Sequence, residues 1–272
     1  MIGTSLPFPM IDPVLLELGP IVIRWYALAY IVGILLGWWY AKRMVSSTAM
    51  WSPAKPAMTP LQLDDFMLWM TIGIIFGGRM GYVLFYNAAA YWQNPIDILK
   101  TWQGGMSFHG GFIGSITAII LFSFRKKIRL WSLLDICALS TPLGLFFGRI
   151  ANFINAELWG RTTDVPWAFI FPGAGPVPRH ASQLYEAGLE GVVLFCVLWV
   201  LAHRFKGFTK PGLISGTFTA GYGTARFIVE FFREPDAHIG FLSGGLTMGM
   251  LLSLPMIALG IWGIVGSRSR TL

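Results

Sequence analysis

Seven apolar runs, each about as long as a helix that crosses a lipid bilayer, dominate this sequence of 272 residues. About 20 consecutive apolar residues cover the roughly 30 Å of hydrocarbon in a membrane. Charged residues make up 12% of the chain, about half of the ~25% that is typical of a soluble domain. We therefore expect an all-α polytopic membrane protein with about seven transmembrane helices, at about residues 20–41, 64–87, 110–124, 130–150, 184–203, 211–230 and 245–265.

The basic residues predict how these helices are oriented. The formal net charge of +7 could by itself suggest a nucleic acid partner. Twelve of the 20 Lys and Arg residues, however, lie in alternate loops and in the C-terminal tail, at residues 42–63, 125–129, 203–210 and 268–270. Cytoplasmic loops carry such an excess. We expect a periplasmic N-terminus, a cytoplasmic C-terminus, a lipid bilayer around the chain and no nucleic acid partner.

The segments between the runs indicate one membrane-embedded domain, residues 1–272, with a small periplasmic head at about residues 151–183. The head segment is rich in Pro and Gly, which favours loops over a further span. Residues 1–19 contain Asp12 and Glu17 but no basic residue, so we expect an interfacial segment and not a cleavable signal peptide.

Polar residues are concentrated at the outer end of the fourth run, within residues 149–161. Arg149 and Asn152 are three residues apart and share one face if the helix continues. A guanidinium and an amide on one face can donate hydrogen bonds to a phosphate or a carboxylate. The alternative is a structural ion pair between Arg149 and Glu157.

A second polar group forms a stripe on the sixth run, where Tyr222, Arg226, Glu230 and Arg233 follow helical spacing. Polar stripes within membrane helices usually face the bundle interior or a wet cavity. Two arginines against one glutamate leave a net positive charge, which favours an anionic ligand. The alternative is an Arg226–Glu230 pair that neutralises itself.

The glycine-rich segment 104–111 predicts a sharp turn and a helix that begins at Gly110. His109 would lie at this turn, and histidine is a natural proton acceptor near neutral pH. The alternative is a structural histidine held by hydrogen bonds. At the start of the fifth run, Ser182 is expected to cap the helix. The third, fifth and seventh runs are expected to lack the chain of acidic residues typical of proton-coupled carriers.

Together, these motifs resemble those of bacterial prolipoprotein diacylglyceryl transferases, in order and nearly end to end. The segments that carry the resemblance are residues 78–87, 105–111, 148–161, 178–186 and 222–236. Two positions depart from the pattern of the family: Ala156 replaces a glycine and Ala181 replaces a proline.

The resemblance implies an enzyme of the bacterial cytoplasmic (inner) membrane whose active site faces the periplasm. It would move the sn-1,2-diacylglyceryl group of phosphatidylglycerol to the thiol of a lipobox cysteine, next to the signal peptide of a prolipoprotein. The products would be a thioether-linked lipid and glycerol 1-phosphate, in the first step of lipoprotein maturation. The resemblance implies no metal and no cofactor.

The resemblance also implies roles for residues of this sequence. His109 is the expected general base, and Arg149 and Arg226 are expected to hold the phosphate. The other substrate-binding residues implied are Tyr26, Asn152, Asn155, Glu157, Gly160, Tyr222, Glu230 and Arg233. Two other classes of protein stay open from the residues alone: a transporter or channel for anionic lipids or organic anions, and a membrane scaffold whose arginines pair internally.

Overall fold

The computed structural model describes residues 5–19, 21–235 and 240–271. Residues 1–4 and Asp236, which ends the last motif of the resemblance, lie outside the described residues. The described chain is mostly helical, as predicted, because a helix satisfies its own backbone hydrogen bonds where no water is available. The helices are α1 (Trp25–Ser46), α2 (Thr48–Trp51), α3 (Pro60–Tyr86), α4 (Ala88–Gln93), α5 (Phe108–Lys126), α6 (Leu130–Ile154), α7 (Ser182–Glu186), α8 (Leu194–Arg204), α9 (Leu213–Val229) and α10 (Met248–Ser267).

Five helical segments of the described chain are long and apolar enough to cross a membrane. They are Pro60–Tyr86, Phe108–Lys126, Leu130–Ile154, Ser182–Arg204 and Met248–Ser267. The fourth of these joins α7 to α8 through a π-helical stretch, Ala187–Val193. Helix α1 is rich in Trp and Tyr, and α9 has 17 residues. Neither helix is both long and apolar enough to count with these five, so the structure supports a multi-pass membrane protein with five candidate spans, and the count of seven stays a prediction.

The prediction of an all-α chain was wrong in detail, because the described residues also contain two small sheets. Strands β2 (Val14–Leu18) and β3 (Ile21–Arg24) form an antiparallel hairpin just before α1. Strands β1 (Leu6–Pro7) and β4 (Phe169–Ile170) pair in parallel. Strands of two to five residues leave too short an alternation for the sequence to reveal them.

Ion pairs bring two of the basic segments to the same end of the bundle. Lys42, near the end of α1, lies 2.9 Å from a carboxylate oxygen of Asp64 in the first turns of α3. Lys126, at the end of α5, lies 2.7 Å from Asp65 on the neighbouring position of α3. The carboxyl ends of α1 and α5 therefore lie beside the amino end of α3.

A buried carboxylate and a cation–π contact bring the other two basic segments to the same end of the bundle. Asp135, near the start of α6, accepts hydrogen bonds from the backbone amides of Gly212 (2.8 Å) and Ser215 (2.7 Å) at the start of α9. The guanidinium of Arg270 lies 3.9 Å from the ring centre of Trp131. The helix ends that carry the predicted cytoplasmic charges thus share one end of the bundle.

Helices α3 and α5 approach each other through glycines, which allow close contact of two backbones. A Cβ atom built at Gly77 would lie only 2.8 Å from the Cα atom of Gly114. Helix α5 begins at Phe108 and not at Gly110 as predicted, because the side chain of Ser107 accepts a hydrogen bond from the backbone amide of Gly110 and caps the helix earlier.

The buried Arg79 of α3 organises the segment between α4 and α5. Its side chain is 4% exposed and donates hydrogen bonds to five backbone carbonyls, at distances of 2.5 to 3.3 Å. These carbonyls belong to Asp97, Ile98, Lys100, Gly104 and Gly105. The hydrogen-bond donors of this arginine, which lies in an apolar run, are thus satisfied by backbone carbonyls of the loop.

We predict that Gly77→Ala lowers the thermal stability of the purified protein in detergent, because the added methyl group overlaps α5. Overpacking of this kind costs about 1–3 kcal/mol. The control is Gly148→Ala, since a Cβ atom there would meet nothing within 4 Å. Equal melting temperatures of the two variants would show that the α3–α5 contact is looser than described.

Candidate active site

Arg149 lies near the carboxyl end of α6 and pairs with two glutamates of the following helix. Its Nε atom is 2.7 Å from Oε2 of Glu186, and its Nη2 atom is 3.4 Å from Oε2 of Glu190. Both carboxylates are buried, at 1% and 0% side-chain exposure. The alternative of an Arg149–Glu157 pair was wrong, because the helix directs Arg149 toward the α7 segment.

Two arginines of the polar stripe contact the carboxylate of Glu186 as well. Arg226 donates from Nη1 to Oε1 of Glu186 at 3.1 Å, and its Nη2 atom pairs with Glu230. Arg233 donates from Nη1 to Glu186 at 3.2 Å, and its Nε atom lies 3.9 Å from Glu230. The Arg226–Glu230 pair, which the sequence offered as the alternative, is present as one part of a larger network.

Glu230 is fixed by the start of α10 as well as by the arginines. The hydroxyl of Thr247, the N-cap residue of α10, donates to Oε2 of Glu230 at 2.5 Å and accepts from the amide of Met250 at 3.2 Å. A Cβ atom added at Gly249 would approach the Glu230 carboxylate to 2.5 Å. The carboxyl end of α9 and the amino end of α10 therefore meet at this side chain.

Glu186 and Glu190 are absent from the predicted site, although they place two acidic residues in the fifth run. The two glutamates are four residues apart and lie on one face of the helix. Glu190 belongs to the π-helical stretch Ala187–Val193, and such bulges are frequent at functional sites. Two acidic residues at helical spacing in an apolar run could have revealed them.

We define the charged cluster as the three arginines and three glutamates joined by these ion pairs: Arg149, Arg226, Arg233, Glu186, Glu190 and Glu230. Its formal charge is zero when all six groups are ionised. The prediction of a net positive charge was wrong, because it counted α9 alone and the glutamates of the α7 segment cancel the excess.

The head joins the charged cluster through contacts of Gly160 and Arg161 with the backbone of Glu230 and Arg233. Arg161 donates from Nε to the carbonyl of Arg233 (2.8 Å) and from Nη2 to the carbonyl of Glu230 (2.9 Å). Gly160 forms an isolated bridge with Arg233. A Cβ atom at Gly160 would lie 2.7 Å from that of His180, so only glycine fits here.

Asn152, Glu157 and Tyr26 form a polar group next to Arg149. The buried Asn152 donates from Nδ2 to Oε1 of Glu157 at 2.7 Å. Tyr26 shares a 3.2 Å hydroxyl contact with Tyr30 and interacts electrostatically with Arg149 and Glu157. Three residues of the predicted set, on α1, on α6 and after α6, are therefore brought together.

The predicted set also includes Asn155, directly after α6, and Tyr222, on α9. Asn155 ends α6, and its Oδ1 atom is buried with no hydrogen-bond partner among the described residues. Tyr222 stacks on Phe218, with 6.0 Å between ring centres, and interacts electrostatically with Glu190.

His109 lies apart from these contacts, on the first turn of α5. Its side chain is exposed, and its ring is 5.7 Å from that of Phe108. Within the described ranges it makes no hydrogen bond and no ion pair with the charged cluster. Its assignment as a base therefore stays a prediction.

At the border of the head, the N-cap of α7 differs from the prediction, and Ala156 adopts a left-handed backbone conformation. Ser182 does not cap its helix; its hydroxyl donates to the carbonyl of Leu158 at 3.0 Å, and Ala181 takes the N-cap position. Ala156, where the resemblance expects glycine, has a φ of 53°. A residue with a Cβ atom in this left-handed region costs roughly 1–2 kcal/mol, which explains the preference for glycine there.

His180 lies in the head close to the charged cluster. Its Nδ1 atom is 3.1 Å from the hydroxyl of Tyr185, and its ring meets that of Phe232 edge to face. Burial lowers the pKa of His180 from its usual value. A neutral imidazole therefore adds no charge to this end of the bundle at neutral pH.

Comparisons with known proteins agree with the resemblance. A family model described as prolipoprotein diacylglyceryl transferase matches residues 13–266. The phosphatidylglycerol–prolipoprotein diacylglyceryl transferase of Sinorhizobium medicae is 56% identical over 265 residues, which are 97% of this chain and 95% of that protein. The protein of the same name from Brucella anthropi is 54% identical over 261 residues, 96% of this chain and 93% of the relative.

We predict that Glu186→Gln destabilises the protein, because this carboxylate is shared by three arginines. Removal of one partner from a buried ion pair costs about 3–5 kcal/mol, which would appear as a lower melting temperature in detergent. The control is Asp65→Asn, which removes an ion pair with 46% exposure of the carboxylate and should cost under about 1 kcal/mol. Equal losses in the two variants would contradict a central role for Glu186.

Proposed function

Because this chain belongs to the prolipoprotein diacylglyceryl transferase family, we propose that it transfers the sn-1,2-diacylglyceryl group of phosphatidylglycerol to the thiol of a lipobox cysteine in a prolipoprotein. The observation that carries the proposal is the buried charged cluster, in which three guanidinium groups from two helix ends converge on one carboxylate. Guanidinium groups suit the phosphodiester of the donor lipid through paired hydrogen bonds.

The reaction forms a bond between the cysteine sulfur and a glycerol carbon, and it breaks the bond between that carbon and a phosphate oxygen. Negative charge builds up on the phosphate as this bond breaks. Fixed arginines in a site that excludes water stabilise such charge. The thiol proton leaves the sulfur, and in the overall balance glycerol 1-phosphate is released with that proton.

Each predicted residue has a proposed role in this reaction. Arg149 and Arg226 hold the phosphate, and Asn152 and Tyr26 donate further hydrogen bonds. The remaining substrate-binding residues orient these groups, with Gly160 acting through its backbone: Asn155, Glu157, Gly160, Tyr222, Glu230 and Arg233. His109 takes the thiol proton, since only a few per cent of a thiol with a pKa of about 8.5 is ionised near pH 7.

We further propose that α1 and α9 also cross the membrane, giving seven crossings in one domain with the head at residues 151–183. The shared end of α1, α5 and α10 carries the basic segments, which favours the cytoplasm for that end. The charged cluster then faces the periplasmic side of the bacterial inner membrane, where the head joins it. Both substrates are held in the bilayer and would approach from its outer leaflet.

The test of the proposed function is reconstitution of the purified protein with labelled phosphatidylglycerol and a lipobox peptide that ends in an apolar signal helix. We expect the peptide to gain the mass of one diacylglyceryl group, together with release of glycerol 1-phosphate. Movement of unmodified lipid across the membrane without a mass change would instead support a transporter.

The internal pairing of the charged cluster would also suit a membrane scaffold. Substitution of its arginines distinguishes an enzyme from such a scaffold. We predict that Arg149→Ala abolishes transfer, because the phosphate loses a guanidinium that stabilises its developing charge. Lys42→Ala at the opposite end should leave transfer intact, since its pair with Asp64 is 33% and 38% exposed. Transfer by Arg149→Ala at the wild-type rate would contradict the site assignment.

We predict that His109→Gln lowers turnover by about 10²–10⁴-fold, the usual contribution of general base catalysis, with little change in affinity for phosphatidylglycerol. The measurements are the initial rate of peptide modification and the Kd of the lipid in the same detergent. Unchanged turnover would remove His109 from the mechanism, and it would direct the search for the base to groups nearer the charged cluster.

A further inference from the structure

The neutrality of the charged cluster poses a problem for an anionic lipid. The three arginines and three glutamates cancel one another, and the adjacent Arg161 and Glu157 add one charge of each sign. A phosphodiester carries one negative charge, so its arrival would leave a buried site with an excess of one. An uncompensated buried charge is costly unless a group changes its protonation.

Glu190 is the carboxylate of the charged cluster with the weakest compensation. Glu186 pairs with three arginines, and Glu230 is held by two arginines and by Thr247. Glu190 has one ionic contact, at 3.4 Å to Arg149, and its Oε1 atom has no hydrogen-bond partner among the described residues. Its side chain is fully buried, at 0% exposure.

We propose that Glu190 takes up one proton when the phosphodiester of the lipid binds to the charged cluster. Once protonated, the carboxyl group no longer forms an ion pair with Arg149. The guanidinium of Arg149 then pairs with the phosphate, and the net charge of the site returns to zero. The unpartnered Oε1 atom offers a place for the proton to reside. This inference rests on the proposed function, because it takes phosphatidylglycerol as the ligand.

The groups that face Glu190 are few and come from three elements. Arg149 approaches from α6, Glu186 precedes it on its own helix, and Tyr222 and Arg226 interact with it from α9. Glu186 is tied to three arginines, so its protonation would disturb three ion pairs. Glu190 is therefore the carboxylate whose protonation disturbs the fewest ion pairs.

Thermodynamic linkage between proton uptake and lipid binding determines how the Kd of the lipid changes with pH. Since the complex holds one more proton than the free protein, the Kd of the lipid rises with pH, by about tenfold per pH unit where free Glu190 is ionised and bound Glu190 is protonated. Below that range, where Glu190 is protonated in both states, the Kd levels off. This pH dependence is a property of lipid binding, which precedes group transfer.

The experiment is titration calorimetry of the full chain in detergent with dioctanoyl phosphatidylglycerol, in buffers of different ionisation enthalpy and over a range of pH. We expect uptake of about one proton for the wild type and for Asp65→Asn, and uptake near zero for Glu190→Gln. The Glu190→Gln variant should bind with a Kd that is nearly constant with pH. No proton uptake by the wild type, or unchanged uptake by Glu190→Gln, would overturn the inference.

Glu190→Asp keeps the test decisive if the amide variant does not fold. It retains a carboxyl group on a shorter side chain, so proton uptake should persist with a shifted midpoint in the pH dependence of the Kd; an unchanged midpoint would place the proton elsewhere. Each preparation is also assayed for transfer to a lipobox peptide. Transfer without linked proton uptake defeats this inference alone, whereas no transfer by the wild type defeats the proposed function.

Discussion

The shared carboxylate of Glu186 is the interaction on which the rest of the site depends. It contacts Arg149 from α6 together with Arg226 and Arg233 from α9 and its end, and so joins three segments that are far apart in the sequence. Three guanidinium groups could not lie together in a low-dielectric bundle without such a counter-charge. The head is then attached to the same place through Arg161 and the backbone of Glu230 and Arg233.

This arrangement has a consequence for catalysis. Arginines that are already paired are held in position before the substrate arrives, and pre-organised donors lose little free energy to reorientation during the reaction. In the proposed reaction, the phosphate of the lipid has to compete with these glutamates for the guanidinium groups. The proposed protonation of Glu190 would relieve this competition and leave the geometry of Arg149 and Arg226 in place.

The sequence predicted the helices within a few residues, because apolar length is a direct consequence of bilayer thickness. It also singled out Arg149, Arg226 and Arg233, which the structure brings together at Glu186, since charges in apolar runs stand out. It missed Glu186 and Glu190, whose partners lie 37 to 47 residues away, because pairing across helices is set by packing and not by local spacing. The predicted net positive charge of the site was wrong for the same reason. The short strands could not be predicted, because they contain too few residues to show an alternating pattern.

The most direct measurement of the central claim is an experimental structure of the protein with phosphatidylglycerol bound in a bilayer-like environment. We expect the phosphate to lie within hydrogen-bond distance of both Arg149 and Arg226, with Glu186 still in contact with at least one of them. A phosphate bound elsewhere, with all the ion pairs of the charged cluster unchanged, would contradict it.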